Sequence, residues 1–185
     1  MNISDEGILT CPNKYNCQAQ LLTKFKHFAS DDCMRIVGFG DTLFTRLMTA
    51  DGFESMADIY RYADFKDVLI GVGFGIKSYE NLAKAVEASK KIPLHRFIHA
   101  LVITSVGMET SKVLEARFHT LEKFLEAKYE EIVECASIGE FTGSKVYETI
   151  HDPEILKLIN ELLSNGVKVS AKRSPIIFGK LTGQV

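Results

Sequence analysis

The chain has 185 residues, 46% apolar and 25% charged, with a formal net charge of −2 and a pI near 6.2. This suits one well-cored soluble domain with a small appendage, and it excludes a protein that coats nucleic acid with positive charge over its whole surface. No apolar run approaches the roughly 20 residues of a membrane span, and the polar stretch Met1 to Gly7 carries no secretory signal. The expectation is a cytoplasmic protein without membrane contacts. Any nucleic-acid site is confined to a few cations and backbone amides.

The four cysteines are Cys11, Cys17, Cys33 and Cys135. Without an export signal they read as reduced thiols or metal ligands. Cys11 and Cys17 stand close together near the front, but a structural zinc site needs four ligands. Two readings stay open, half of a zinc site or a pair of incidental thiols. His27 is a third donor in reach, on the helix that follows. Cys33 and Cys135 lack a matching partner spacing, and Cys33 reads as a core thiol.

Four glycine-centred bends then follow. They are Val37-Gly38-Phe39-Gly40, Val72-Gly73-Phe74-Gly75, Thr104-Ser105-Val106-Gly107 and Ala136-Ser137-Ile138-Gly139. Their last residues recur at near-constant spacing, about 32 to 35 positions, as in helical repeats. Each bend follows a short apolar segment and precedes an amphipathic one. The periodicity predicts helices over Ile76 to Lys90, Met108 to Phe118 and Pro153 to Ser164, the last with Asp152 as cap, Pro153 in the first turn and Gly166 as stop. Residues 28–166 are expected to be helical. Val167-Lys168-Val169 and Ile176-Ile177-Phe178 read as short strands or extended linker.

A small, apolar, glycine sequence leading into a helix is the helix-hairpin-helix pattern. Glycine leaves no side chain over the amides, and the amides of the bend, with those opening the second helix, are expected to point outward without partners. Such a terminus attracts phosphate through its donors and dipole. The middle apolar residue (Phe39, Phe74, Val106 or Ile138) anchors the bend to the core. The candidate DNA-binding set is Gly38, Gly40, Arg46, Gly73, Gly75, Lys77, Ser78, Gly107, Lys112, Gly139 and Lys145. Lys77 is favoured because Ser78 beside it adds a hydroxyl. Asp41 opens the first helix and repels phosphate unless it caps. Phe44 and Tyr79 are bulky where close helix packing wants a small residue, and Ser105 and Ser137 replace the first glycine of their bends.

These stretches resemble the C-terminal half of NAD-dependent DNA ligases. Cys11 to Gln20 resembles the second half of that family's four-cysteine zinc finger. His27-Phe28-Ala29-Ser30 and Met34-Arg35-Ile36-Val37-Gly38-Phe39-Gly40 resemble its approach to the first hairpin. The order continues through Ala57-Asp58-Ile59-Tyr60, Gly73-Phe74-Gly75-Ile76-Lys77-Ser78, Pro93-Leu94-His95-Arg96-Phe97 and Glu130-Glu131-Ile132. Phe178 to Val185 resembles the lead-in to a BRCT domain.

The resemblance implies an all-α fold. Residues 1–27 form a partial zinc-finger-like segment with Cys11 and Cys17 as metal ligands. Residues 28–166 form a four-unit helix-hairpin-helix domain, and 167–185 a linker or the start of a BRCT domain. It implies double-stranded or nicked DNA as partner, gripped without sequence specificity during nick sealing in replication and repair. Zinc would have an incomplete ligand set here. NAD would enter only through an adenylation and oligonucleotide-binding partner, because this chain has no Lys-x-Asp-Gly motif and no residue suited as nucleophile or general base. A subunit of a split ligase, a piece of a longer ligase and a diverged paralogue all fit. The alternatives are a stand-alone DNA-structure-binding accessory and a protein-interaction scaffold that has lost DNA binding.

Overall fold

The computed structural model describes residues 2–3, 9–10, 18–48, 53, 55–71 and 75–170. Cys11, Cys17, Gly73, Phe74 and the tail from 171 lie outside them, as do the readings made there for a zinc stub and a BRCT lead-in. Two short strands, β1 (Asn2–Ile3) and β2 (Leu9–Thr10), pair antiparallel.

Helix α1 (Gln18–Ala29) buries Phe25, Phe28 and Ala29. A turn closes it, with the Cys33 amide donating to the Ser30 carbonyl at 3.1 Å and the Met34 amide to Phe28 at 2.9 Å. The first bend leads into α2 (Asp41–Leu47), which buries Leu43, Phe44 and Leu47. The 3-10 helix η1 (Met56–Phe65) starts at Ser55. The Ser55 hydroxyl accepts from the Ala57 amide at 3.2 Å, and Asp58 accepts from the Ser55 amide at 2.7 Å. α3 (Lys66–Gly71) and α4 (Ile76–Ser89) follow. Aromatic rings join these pieces: Phe25 lies 4.2 Å from Phe44 and 5.5 Å from Phe53, and Phe53 meets Phe65 edge-on at 5.5 Å. Phe44 is bulky because it fills this cluster.

The second half contains β3 (Lys91–Pro93), α5 (Leu94–Ala100), α6 (Met108–Phe118), α7 (Leu121–Leu125), α8 (Tyr129–Val133), α9 (Glu140–Ile150), α10 (Pro153–Ser164) and β4 (Lys168–Ser170). α4 and α6 match their predicted spans, α4 ending one residue early. α10 matches in its bounds and its cap: the Asp152 carboxylate accepts from the Glu154 amide at 2.9 Å. Gly166, at φ 93°, follows the helix end.

The chain is mostly helical, as expected, with one addition. β3 and β4 pair in parallel, Ile92 opposite Val169, and the Lys168 amide donates to the Lys90 carbonyl at 2.6 Å. Residues 167–170 therefore pack on the helical body, with Val167 buried. Strand β3 escapes a periodicity reading because three residues show no period, and its partner lies far along the chain. One apolar cluster runs from Phe25 to Val167.

Candidate nucleic-acid interface

The three bends described in full share one backbone path. Contrary to expectation, the middle apolar amide is not free, because the bend closes on itself: it donates to the carbonyl three residues back, Phe39 to Ile36 at 3.3 Å, Val106 to Ile103 at 3.1 Å and Ile138 to Cys135 at 3.1 Å. The residue before it is left-handed in each, Gly38 at φ 91°, Ser105 at 63° and Ser137 at 65°. Glycine takes this conformation without strain, and serine at a cost of about 1 kcal/mol. The two serines thus keep the bend that glycine makes in the first unit. Val106 and Ile138 are buried and Phe39 half-buried, so the middle residues anchor the bends as expected.

All four bends hand over to a helix in the same way. Gly40, Gly75, Gly107 and Gly139 are N-caps with extended backbone, all exposed. Each accepts from the amide four residues on, that of Phe44, Tyr79, Ser111 or Gly143, at 2.8–3.1 Å. None of the four helices has a side-chain cap, and a Cβ at any of the four glycines would meet nothing within 4 Å. The helices away from the bends differ. Ser55, Thr120 and Asp152 cap η1, α7 and α10 with their side chains, and Glu115 reaches the His95 amide at the start of α5 at 3.2 Å. At α5 and α8, which also lack a capping side chain at the N-cap, a carboxylate meets the amide of His95 or Lys128, whereas among the described residues no side chain caps the helices behind the four glycines. An anion supplies what such a terminus lacks.

The predicted side chains divide. Gly38, Gly40 and Arg46 line one cleft of about 210 Å³ with Asp41, Thr42, Leu43 and Leu69. Asp41 makes no cap; it pairs with Lys26 at 2.6 Å. Lys77 and Ser78 are exposed on the first turn of α4, which has no acid there, and Lys77 has no ion pair among the described residues. Lys112 pairs with Glu109 at 2.6 Å and Lys145 with Glu148 at 2.8 Å, both one turn apart on exposed surface. Gly73 lies outside the described residues.

The position four residues after each closing glycine, where the sequence marks Phe44 and Tyr79 as bulky, sets how each unit packs. Phe44 and Tyr79 hold the first two units with rings, Tyr79 lying 5.9 Å from Tyr62. Ser111 is fully buried, with its hydroxyl donating to Gly107 at 2.9 Å. Gly143 lets α9 lie directly against Val133 of α8. Alignment of the four bends is the signal that finds it.

One cluster of metal-ligating groups lies elsewhere. His27, Cys33 and His99 each place one donor atom within 4.8 Å of the others. His27 is thus brought to Cys33 and His99. Burial pushes the Cys33 thiol up, and burial followed by the neighbouring His27 holds His99 below its ordinary 6.5.

Among the described residues no helix is long and apolar enough to cross a membrane. A helix-hairpin-helix motif family matches residues 96–159. The chain is 38% identical over 175 residues to a DNA ligase of Clostridium novyi strain NT, covering 94% of this chain and 26% of that protein. It is 37% identical over 169 residues to a DNA ligase of Francisella tularensis subsp. novicida, covering 91% and 25%. With a DNA ligase of Petrotoga mobilis it shares 32% over 182 residues, covering 98% and 27%. The chain thus spans about a quarter of the length of these curated relatives. Nearly its whole length matches DNA ligases, in the part of them that carries helix-hairpin-helix units.

Proposed function

We propose that this chain is the DNA-holding part of an NAD-dependent DNA ligase, gripping nicked duplex through backbone phosphates without reading bases. The observation that carries this reading is the common opening of four helices on an exposed, uncapped glycine, in a chain similar to DNA ligases over nine tenths of its length. Open amides at a helix start hold a phosphate oxygen. Lys77 and Ser78 add charge and a hydroxyl at the second unit, and Arg46 adds charge at the first. Lys112 and Lys145 sit in exposed one-turn pairs worth about 0.3–0.5 kcal/mol, so turning to a phosphate costs them little. Phosphate contacts fix register and orientation and carry no sequence information.

The sealing chemistry belongs to an adenylation and oligonucleotide-binding region or subunit other than these 185 residues. There AMP would pass from NAD to a lysine with release of nicotinamide mononucleotide, then to the 5′-phosphate, and the 3′-hydroxyl would displace it. This chain contributes binding and orientation, acting in the cytoplasm of a bacterial or phage-infected cell.

Fluorescence anisotropy with nicked duplex across a salt series tests the reading. Four neutralised phosphates give a log-log slope of roughly −3.6, and Lys77→Ala and Lys112→Ala each flatten it by about 0.9. A folded chain that ignores nicked duplex at low salt overturns the DNA-holding role. Restoration of nick sealing by an adenylating ligase part upon addition of this chain tests the ligase context.

A further inference from the structure

We propose that His27, Cys33 and His99 form a site for a divalent transition-metal cation of the zinc class, tying α1 and the turn that closes it to α5. The proposal is independent of the DNA-holding role and of Cys11 and Cys17.

The three residues come from separate segments. His27 lies in the last turn of α1, Cys33 in the turn that closes α1, and His99 near the end of α5. Cys33 Sγ is 3.3 Å from His27 Nε2, and the two imidazole rings meet edge-on with centroids 4.6 Å apart. The surroundings hold each segment in place. Phe28 and Cys33 are fully buried, as are Phe97, Ile98 and Ala100 beside His99. The Arg96 Nε–H donates to the Asp32 carbonyl at 3.3 Å and fastens α5 to the turn.

Two imidazoles and one thiolate form a borderline-soft donor set. It selects zinc, cobalt or copper over magnesium and calcium, which take oxygen ligands. Three protein donors leave a fourth tetrahedral position for water.

An independent observation points the same way. His99 Nδ1 is buried and meets no partner at hydrogen-bonding geometry among the described residues, although the ring also faces the Val106 backbone. Native folds rarely leave such an atom unmatched, because burial has stripped its water. A cation held by this nitrogen would satisfy it.

The protons balance simply. In the cation-free arrangement the His27 Nε2–H donates to the His99 carbonyl at 2.9 Å. On binding, that proton moves to Nδ1 of the same ring, freeing the Nε2 lone pair. The Cys33 thiol gives its proton to solvent, so one proton leaves per cation bound.

The test uses the full chain, stripped with chelator and kept reduced, in a Cys11→Ser/Cys17→Ser background that removes the other cysteine pair. Titration with Co²⁺ is expected to produce the visible bands of tetrahedral cobalt and a near-ultraviolet thiolate-to-cobalt band, both removed by one equivalent of Zn²⁺. Cys33→Ser abolishes the thiolate band, and His99→Gln weakens Co²⁺ binding at least about tenfold. At a roughly hundredfold excess over its Kd, Zn²⁺ raises the melting temperature by about 5–10 °C in the background protein, and His99→Gln loses this shift. If Cys33→Ser fails to fold, the half-exposed His99→Gln decides. Parental affinity in a folded His99→Gln, an unchanged thiolate band in Cys33→Ser, or no tetrahedral cobalt spectrum in the background protein overturns the proposal.

Discussion

Lys26 Nζ lies 2.6 Å from Asp41 Oδ2, so the acid that opens α2 meets a cation from α1. Left alone, Asp41 would compete with a phosphate for the α2 amides. Lys26→Ala should therefore weaken binding to nicked duplex, and Asp41→Asn should strengthen it, each roughly two- to fivefold at low salt and less above 0.2 M. Anisotropy titrations of the two variants check the opposite signs.

Gly143 has no room for a side chain, because a Cβ there would land on Val133. Gly143→Ala gains up to about 1 kcal/mol of helix propensity and loses about 1–3 kcal/mol to overpacking between α8 and α9. A net loss of about 1–2 kcal/mol is expected in urea denaturation. A gain in stability would show that the two helices do not approach this closely.

Val102 holds a left-handed backbone at φ 56° and is 42% exposed. A β-branched residue is strained there, and little burial is lost on its removal. Val102→Gly should stabilise the chain by roughly 0.5–1.5 kcal/mol, read as a raised denaturation midpoint. Its amide bond to the His99 carbonyl, 3.3 Å, is retained in the variant.

Tyr60 is buried, and its hydroxyl donates to Ser89 Oγ at 3.0 Å, while Ser89 donates to the Val86 carbonyl at 2.8 Å. Burial pushes the phenol well above its ordinary 10.0, against a smaller opposing effect of the Ser89 bond. The unfolded chain ionises first, so this stability is full below pH 10 and is lost as pH rises above it. Tyr60→Phe should cost about 1 kcal/mol at neutral pH and lessen the alkaline loss. Urea midpoints from pH 7 to 11 for both proteins check this.

The three bends that the structure describes in full, the helices behind the four glycines and those glycine N-caps were legible in the sequence. Those features depend on residues within a turn or two of one another. The 3.6-residue period drew α4 and α6, and Asp152, Pro153 and Gly166 bounded α10. The repetition of glycine placed the open amides. Lys77 is singled out in the sequence by Ser78 beside it, whose hydroxyl adds a second polar group.

What the fold alone decided depends on distance through space. The pairing of β3 with β4, the ring of Phe44 inside an aromatic cluster and the meeting of His27 and Cys33 with His99 join segments far apart in the chain, and the pressure of Val133 on Gly143 joins two successive helices. Ser105 and Ser137 belong here too, since nothing local makes serine left-handed and the packing of Val106 and Ile138 imposes it. Local periodicity and turn chemistry act through the backbone and show in the residue order. Burial, close approach and shared coordination exist only once the chain has collapsed around its core.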